Sequence, residues 1–338
     1  MRKKVSINIA INGLGRIGRC LIRAMVERNE KDLNLVAING TGKLDDYITL
    51  LKYDSVHGKF SHDIKIENDT LIIGRQKIKF LSFRDPAMIP WGKHNVDIVL
   101  ECTGKFKDKK DALKHIEAGA KKVLVSAPSN DADVTIVYGV NNEALKKDHQ
   151  VISVGSCTTN ALAPIVKILN DALTIESGYM TTIHSYTNDQ TILDNRHSDI
   201  RRARACALSM IPTSTGAAKA IGEVLPELKG KLAGSAIRVP TPNVSMIDLT
   251  MLVKKSTSEK EINDILSEAA SKKMKGVLSV AEERLVSIDF NHNPHSTIFD
   301  PYETHVNGKL IRVVSWYDNE WGFSNRMLDV AAFISKMK

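Results

Sequence analysis

Near its start the chain reads VSINIAI, then Asn12-Gly13-Leu14-Gly15-Arg16-Ile17-Gly18, then the amphipathic GRCLIRAMVERN. Glycines spaced GxGxxG are weak evidence alone, because such triplets also arise in plain turns. Placed between an alternating strand and a helix, they constrain the fold sharply. Gly13 permits the tight turn, Gly15 lets a pyrophosphate approach the backbone, and Gly18 lets the helix pack on the strand. The helix N-terminus then attracts the phosphate charge. Residues Asn12 to Gly18 therefore predict a βαβ unit that binds a dinucleotide.

The alternation continues downstream. LNLVAIN, VDIVLECTG, KKVLVSAPS, TIVYGV and QVISVGS read as strands, with DKKDALKHIEAGA helical among them, which implies a mostly parallel sheet. A less regular insertion from Tyr53 to Phe83 reads as antiparallel hairpins. From Cys157 the texture changes. CTTNALAPIVKILNDAL is helical, with Pro164 acceptable only near its first turns or as a kink. YMTTIHSYT, SAIRVP, VSMIDLTMLV, LVSIDF, STIFD and LIRVVSWYD read as strands of an antiparallel sheet covered on one face. The final WGFSNRMLDVAAFISKMK is an amphipathic helix suited to packing back on the first domain.

A chain of 338 residues has room for two domains with cores of their own. With 43% hydrophobic and 25% charged residues it is neither disordered nor collagen-like. No apolar run reaches the roughly 18 residues of a membrane span, so none is expected. The basic start passes straight into the first strand and the glycine motif, unlike a signal peptide, so the expected location is the cytoplasm. Lysine and arginine number 47 against 39 acids, for a net charge of +8. The lysines are dispersed and only 5% of residues are aromatic, so no nucleic-acid patch is evident and no nucleic-acid partner is expected. The surplus suits arginines that bind small anions. Cys20, Cys102, Cys157 and Cys206 form no CxxC pair and no zinc spacing, so neither a metal nor a disulfide is expected.

Cys157 stands apart from the other cysteines. It lies in Ser156-Cys157-Thr158-Thr159-Asn160, between a strand and a helix, where backbone N–H groups and the helix dipole should lower a thiol pKa. Flanking hydroxyls make a poor apolar pocket but good donors to an anion. Cys20, Cys102 and Cys206 read as packing residues. A nucleophilic thiol needs a base, and His184, inside TTIHSYT, is the candidate, although a lone strand histidine is also a common core residue. His57, His62, His292 and His295 read as surface loop residues. One expected feature is missing. The acid that usually follows the second strand, holding the adenosine ribose, is replaced by Gly40, which leaves NAD and NADP both open.

INGLGRIGR, LLKYDSVHGKF, SCTTNALAP, TTIHSYTNDQ, RRARACALSMIPTSTGAAKA, RVPTPNVSMIDL and SWYDNEWGFSNR occur in that order. Together they resemble the phosphorylating glyceraldehyde-3-phosphate dehydrogenases across the whole chain. The resemblance implies that the Cys157 thiolate attacks the aldehyde, that His184 takes the proton, and that hydride transfer leaves a thioester which inorganic phosphate cleaves. It implies substrate-phosphate contacts from Thr187, Asp189 and Arg202 with Arg238 nearby, Asp189 serving to orient an arginine or Thr187. For the attacking phosphate it implies Ser156, Thr158, Thr215, Gly216 and Arg238. For the cofactor it implies Arg16 and Ile17 at the pyrophosphate, Arg84 and Ser126 farther along, and Asn319 and Tyr317 at the nicotinamide. Of Arg201, Arg202 and Arg204, two read as plain solvated surface.

Departures from the family pattern carry information too. Gly40 replaces the acid usual in its NAD enzymes, and Asn195-Arg196 replaces the frequent Leu-Pro in a loop that a neighbouring subunit brings to the adenosine. Both changes favour acceptance of NADP beside NAD. The implied assembly is a homotetramer. Two rival readings fit the same fold: the sister erythrose-4-phosphate dehydrogenases, and a nucleic-acid- or surface-binding protein. The expected architecture is a Rossmann-type α/β domain over residues 1–156, completed by a C-terminal helix 321–338. An α+β catalytic domain with a mostly antiparallel sheet spans 157–320.

Overall fold

Ile9, Ala10 and Ile11 are fully buried, as a strand covered on both faces requires. They belong to β1 (Ile7–Asn12), which lies inside the larger of two main sheets in a computed structural model that describes residues 6–337. The first compact unit comprises the chain up to Tyr138, Asn142–Ser156 and the stretch from Ser324 onward; the second comprises Gly139–Asn141 and Cys157–Phe323.

In the first unit β1 leads through α1 (Arg16–Glu27) to β2 (Leu33–Asn39) and α2 (Leu44–Lys52). The short pair β3 (Tyr53–Asp54) and β4 (Gly58–Lys59) precedes β5 (Ile64–Glu67), β6 (Thr70–Ile73) and β7 (Gln76–Leu81). Then follow β8 (Ile98–Glu101), α3 (Lys109–Glu117), β9 (Lys122–Val125), β10 (Val134–Thr135) and β11 (Val151–Ser153). Among the described residues the sheet has nine strands in the order β10-β11-β9-β8-β1-β2-β7-β6-β5. β10 through β7 pair in parallel, whereas β5, β6 and β7 form the antiparallel hairpins expected of the insertion. The strand order reverses direction between β1 and β8, where doubly wound sheets bind their ligands.

The glycine loop sits there. Gly13 has φ +98°, and a Cβ on it would stand 2.8 Å from Thr103. A Cβ on Gly18 would lie 2.0 Å from the Gly13 carbonyl oxygen, so the first and third glycines are in direct contact. Within this unit, Arg28 bonds Asp329 at 2.7 Å and Lys336 pairs with Asp32 at 3.0 Å.

The second unit holds α4 (Cys157–Leu173), β12 (Ile175–Ser185), β13 (Ile211–Thr213), α5 (Ala217–Val224), β14 (Leu232–Val239), β15 (Ser245–Val253) and α6 (Glu259–Ser271). β16 (Leu278–Val280), β17 (Thr297–Asn307), β18 (Leu310–Tyr317) and the start of α7 (Trp321–Lys336) follow. Its sheet runs β13-β14-β12-β15-β18-β17-β16, with β12–β14 and β16–β17 parallel and the remaining pairs antiparallel. β15 alternates buried and half-buried residues, the mark of a sheet covered on one face, and α4 packs against it. Pro164 lies in the interior of α4.

Two expected strands differ. LVSIDF is not a strand: Ser287–Phe290 form a 3-10 turn, because the Asp289 carboxylate accepts the Val286 N–H at 2.9 Å and Val286 and Ile288 face solvent. Of TIVYGV only Thr135 lies in a strand, the two-residue β10 (Val134–Thr135). Its pairing ends near Ile136, and Gly139, at φ +83°, turns the chain away.

The glycine contact gives a direct test. Gly18→Ala should lower unfolding free energy by about 1–3 kcal/mol, the usual cost of forcing a methyl into a filled space. Urea titration reads this, and an unchanged midpoint would mean that the two glycines do not touch.

Candidate active site

Gly155, at φ +68°, turns the chain into α4, and Cys157 is the first residue of that helix. Its Sγ lies 3.5 Å from His184 Nε2. His184 reaches this position because β12 pairs in parallel with β14, which sets His184 directly beside Arg238. Two donors converge on the Ser185 carbonyl: His184 Nδ1 at 2.6 Å and Arg238 Nη1 at 3.1 Å. A carbonyl only accepts, so Nδ1 carries the imidazole hydrogen and Nε2 is bare toward the thiol. The 2.9 Å approach of Arg238 Nη1 to Nδ1 is then a charge contact.

Burial, followed by the Arg238 charge, pushes the His184 imidazole down to about 3, against the Ser185 hydrogen bond. Burial pushes the Cys157 thiol up, while Arg238 and hydrogen bonds at Thr158 and Cys157 pull it back. The lowered thiol pKa expected from the helix N-terminus is thus not found, because desolvation outweighs the dipole. Burial thus works against the charged form of each partner, and Nε2 is placed to accept from the thiol.

Tyr317 is buried, its hydroxyl 2.9 Å from Thr158 Oγ1 and 2.8 Å from Thr182 Oγ1, its ring edge-on to His184. It ties α4 to β12 and packs its ring against the imidazole. Asn319 Oδ1 accepts from Ser185 Oγ at 2.8 Å and Ser245 Oγ at 2.9 Å, which leaves its Nδ2 as the outward donor. Thr182, Ser185 and Ser245 were not singled out from the sequence, although the hydroxyls in TTIHSYT marked that strand as polar.

Arg238 Nε is buried with no hydrogen-bond partner, and among the described residues no carboxylate lies within ion-pairing distance of this guanidinium. An unpaired buried guanidinium beside a thiol is a place for an anion. A second group lies on the segment after β12. Arg202 Nη1 bonds Asp189 at 2.6 Å, its Nε bonds Thr213 at 2.9 Å, and its Nη2 reaches the Ser214 carbonyl at 3.3 Å. Asp189 therefore orients an arginine, and its own N–H meets Thr187 Oγ1 at 3.4 Å. Arg204 pairs with Asp194 at the surface. Thr215 caps the start of α5 through the Ala217 N–H at 3.2 Å, and Gly216 is exposed; neither bonds the other groups. Ser156 is half-buried next to Cys157. Two loop histidines expected at the surface are packed instead: His292 stacks on Trp321 at 3.6 Å between ring centres, and His295 bonds Asn293.

The first unit has its own candidate site. Gly15 is exposed with open space around it, and no side chain caps the start of α1, so a phosphate can reach the backbone of Gly15, Arg16 and Ile17. These features fit a dinucleotide. The Arg16 guanidinium, expected at the pyrophosphate, is held by Asp54 at 2.6 and 3.1 Å. Burial works to raise that carboxyl, but Arg16 and the His57 and Val56 N–H groups keep it well below the usual range. Asn12, also expected at the cofactor, is buried, its Nδ2 donating to Glu101 at 2.6 Å and its Oδ1 accepting from Asn39 Nδ2 at 2.8 Å. Glu101 further accepts the Thr103 N–H at 2.7 Å and His115 Nε2 at 3.0 Å, while Trp91 donates to His115 Nδ1 at 2.9 Å. The sequence reading missed this buried network, although an acid inside the apolar VLECTG was its signal. Ser126 is half-buried and bonds the Cys102 thiol; Arg84 is exposed; Gly40 is buried at the end of β2.

Residues 7–109 match the glyceraldehyde 3-phosphate dehydrogenase NAD binding domain, and residues 156–319 match the C-terminal domain of the same family. A glyceraldehyde-3-phosphate dehydrogenase of Xanthobacter flavus is 55% identical over 98% of this chain and 100% of its own length. Enzymes of the same name from Cereibacter sphaeroides and Bacillus subtilis are 52% and 51% identical, again over 98% of this chain and 100% and 99% of theirs.

The His184 environment predicts a pH signature. A histidine whose folded pKa is depressed stabilises fully above its unfolded value near 6.5, and loses that contribution as pH falls from there toward about 3. In thermal melts between pH 7 and 4, His184→Asn should lose melting temperature less steeply than the parent. Parallel curves would contradict the assignment.

Proposed function

The chain belongs to the glyceraldehyde-3-phosphate dehydrogenase family, an NAD-dependent oxidoreductase acting on glyceraldehyde 3-phosphate, and from that premise we propose that Cys157 and His184 carry its chemistry. The observation that bears most weight is the bare Nε2 of His184 facing Cys157 Sγ at 3.5 Å. As sulfur attacks the aldehyde carbon, its proton passes to Nε2 and from there to the carbonyl oxygen, so a hemithioacetal forms on Cys157 and the imidazole is neutral again. Bound NAD supplies the hydride acceptor. His184 removes the hemithioacetal hydroxyl proton as the C–H hydride leaves, so a thioester remains. Inorganic phosphate then attacks the acyl carbon, the C–S bond breaks, and 1,3-bisphosphoglycerate leaves with the thiol restored.

Arg238 is the group we assign to both anions, since its Nε lacks a partner. Arg202, oriented by Asp189 and Thr213, holds the substrate phosphate with Thr187. Ser156, Thr158, Thr215 and Gly216 line the inorganic phosphate. An anion on Arg238 offsets the charge that depresses His184, and so raises its basicity when substrate is present. Asn319, with Oδ1 occupied, donates from Nδ2 to the nicotinamide carboxamide. Gly13, Gly15, Arg16, Ile17 and Gly18 hold the pyrophosphate through the backbone, with Asn12 bracing the loop from beneath. The curated relatives do not favour the erythrose 4-phosphate reading.

The assembly we propose is a homotetramer. Ile192, Leu193, Ile200, Leu208 and Met210 are each more than 70% exposed on a segment ordered by its own backbone bonds, Asn195 N–H to Ala203 and Cys206 N–H to Thr191. An ordered loop with apolar side chains outward is a surface waiting for a copy. Arg196, exposed on the same loop, is the cation a neighbour would lend to a 2′-phosphate. No helix among the described residues is long and apolar enough to cross a membrane. Four free cysteines, one of them the nucleophile, suit the reducing cytoplasm.

Initial rates on glyceraldehyde 3-phosphate and phosphate test these roles. His184→Asn should lower kcat by about 10²–10⁴-fold with KM little changed. Cys157→Ser should abolish turnover, with both NAD and NADP used by the parent. Retained turnover in the serine variant would remove Cys157 from the mechanism.

A further inference from the structure

Position 40 is empty of a side chain, but the space beside it is filled. A Cβ on Gly40 would stand 2.7, 2.9 and 3.0 Å from three atoms of the Tyr47 ring. Tyr47 reaches back from α2, its hydroxyl accepts the Gly42 N–H at 3.0 Å, and its ring leans on Phe80 of β7 with 6.1 Å between centres. One hydrogen bond and one ring contact hold the ring over position 40. Its phenolic hydrogen meets no acceptor among the described residues. Asp45 and Asp46, the neighbouring acids, are exposed on α2, as is Lys43 just before it.

We propose that Tyr47 sets cofactor selectivity at the adenosine ribose. Its ring takes the room that a carboxylate on residue 40 would need, and its O–H is a donor that bonds a charged ribose 2′-phosphate more strongly than a neutral 2′-hydroxyl. The general rule for such folds places an acid at the end of the second strand to accept from the ribose hydroxyls, which repels a 2′-phosphate. Here the oxygen of Tyr47 already accepts from Gly42, and its O–H is left as a donor. A 2′-phosphate needs donors. The inference rests on the dual-cofactor reading and names the residue that carries it. It also explains why adding back the acid is not a simple reversal, since Gly40→Asp must first evict the ring.

Isothermal titration of the purified protein with NAD and with NADP decides this without turnover. Tyr47→Phe, which keeps the ring, should weaken NADP about tenfold while changing NAD little, the loss of one hydrogen bond to a charged group. Gly40→Asp alone should weaken both cofactors about tenfold or more, because the ring and the Gly42 bond are displaced. Gly40→Asp with Tyr47→Ala should recover NAD to within about threefold and leave NADP about a hundredfold weaker, through like-charge repulsion. Thermal melts of each variant report folding independently. Equal shifts of NAD and NADP in Tyr47→Phe would overturn the proposal, as would tight, selective NAD binding by Gly40→Asp alone. A parent protein that binds NAD but no NADP would overturn the dual-cofactor reading. In that case the NAD affinities of Gly40→Asp and of the double variant still show whether Tyr47 holds the acid's place.

Discussion

A buried imidazole can present a bare nitrogen to a thiol only if its other nitrogen is already spent, and in this chain the Ser185 carbonyl spends it. The 2.6 Å bond from His184 Nδ1 fixes the tautomer, and the same carbonyl anchors Arg238 at 3.1 Å. One oxygen thus aligns the base and the guanidinium together. The parallel pairing of β12 with β14 makes that possible, because it sets His184 and Arg238 side by side. Tyr317, from β18, closes the arrangement by bridging Thr158 of α4 and Thr182 of β12. The sheet is a jig for four side chains, and α4 delivers the sulfur to it.

The cofactor unit uses buried polar contacts in a similar way. The register that aligns Asn39, Asn12 and Glu101 across three strand ends lets their side chains bond in a row beneath the glycine loop. Glu101 also holds Thr103, which a Cβ on Gly13 would touch. A carboxylate buried this deeply is tolerable only when its oxygens are satisfied, and four donors from Asn12, Thr103 and His115 do so. Stiffening the loop this way leaves the exposed backbone of Gly15 as the part open to a ligand.

Much of this was legible in the sequence because local rules suffice for it. Gly13 and Gly18 are demanded by a turn and by close packing, and both demands show in their spacing. Cys157 among hydroxyls at a helix start and a histidine in a polar-alternating strand stand out locally, and the fold brings the two to 3.5 Å. What escaped depends on tertiary surroundings. The thiol pKa moved up because burial, invisible to local sequence, outweighed the helix terminus. LVSIDF alternates like a strand, yet Asp289 curls back onto the Val286 N–H. Arg16 was expected at a phosphate, but Asp54, distant in sequence, claims its side chain. Gly40 was read as an absence, and only the fold shows that Tyr47 occupies the space.

The central claim is that Cys157 carries the acyl group, with His184 as base. The most direct measurement is peptide-level mass spectrometry of protein quenched in acid after mixing with glyceraldehyde 3-phosphate and NAD in the absence of phosphate. A 3-phosphoglyceroyl adduct on the Cys157 peptide, discharged when phosphate is added before the quench, is the result predicted. NADH formed in a stoichiometric burst with no adduct on that peptide, or an adduct on another cysteine, would contradict it.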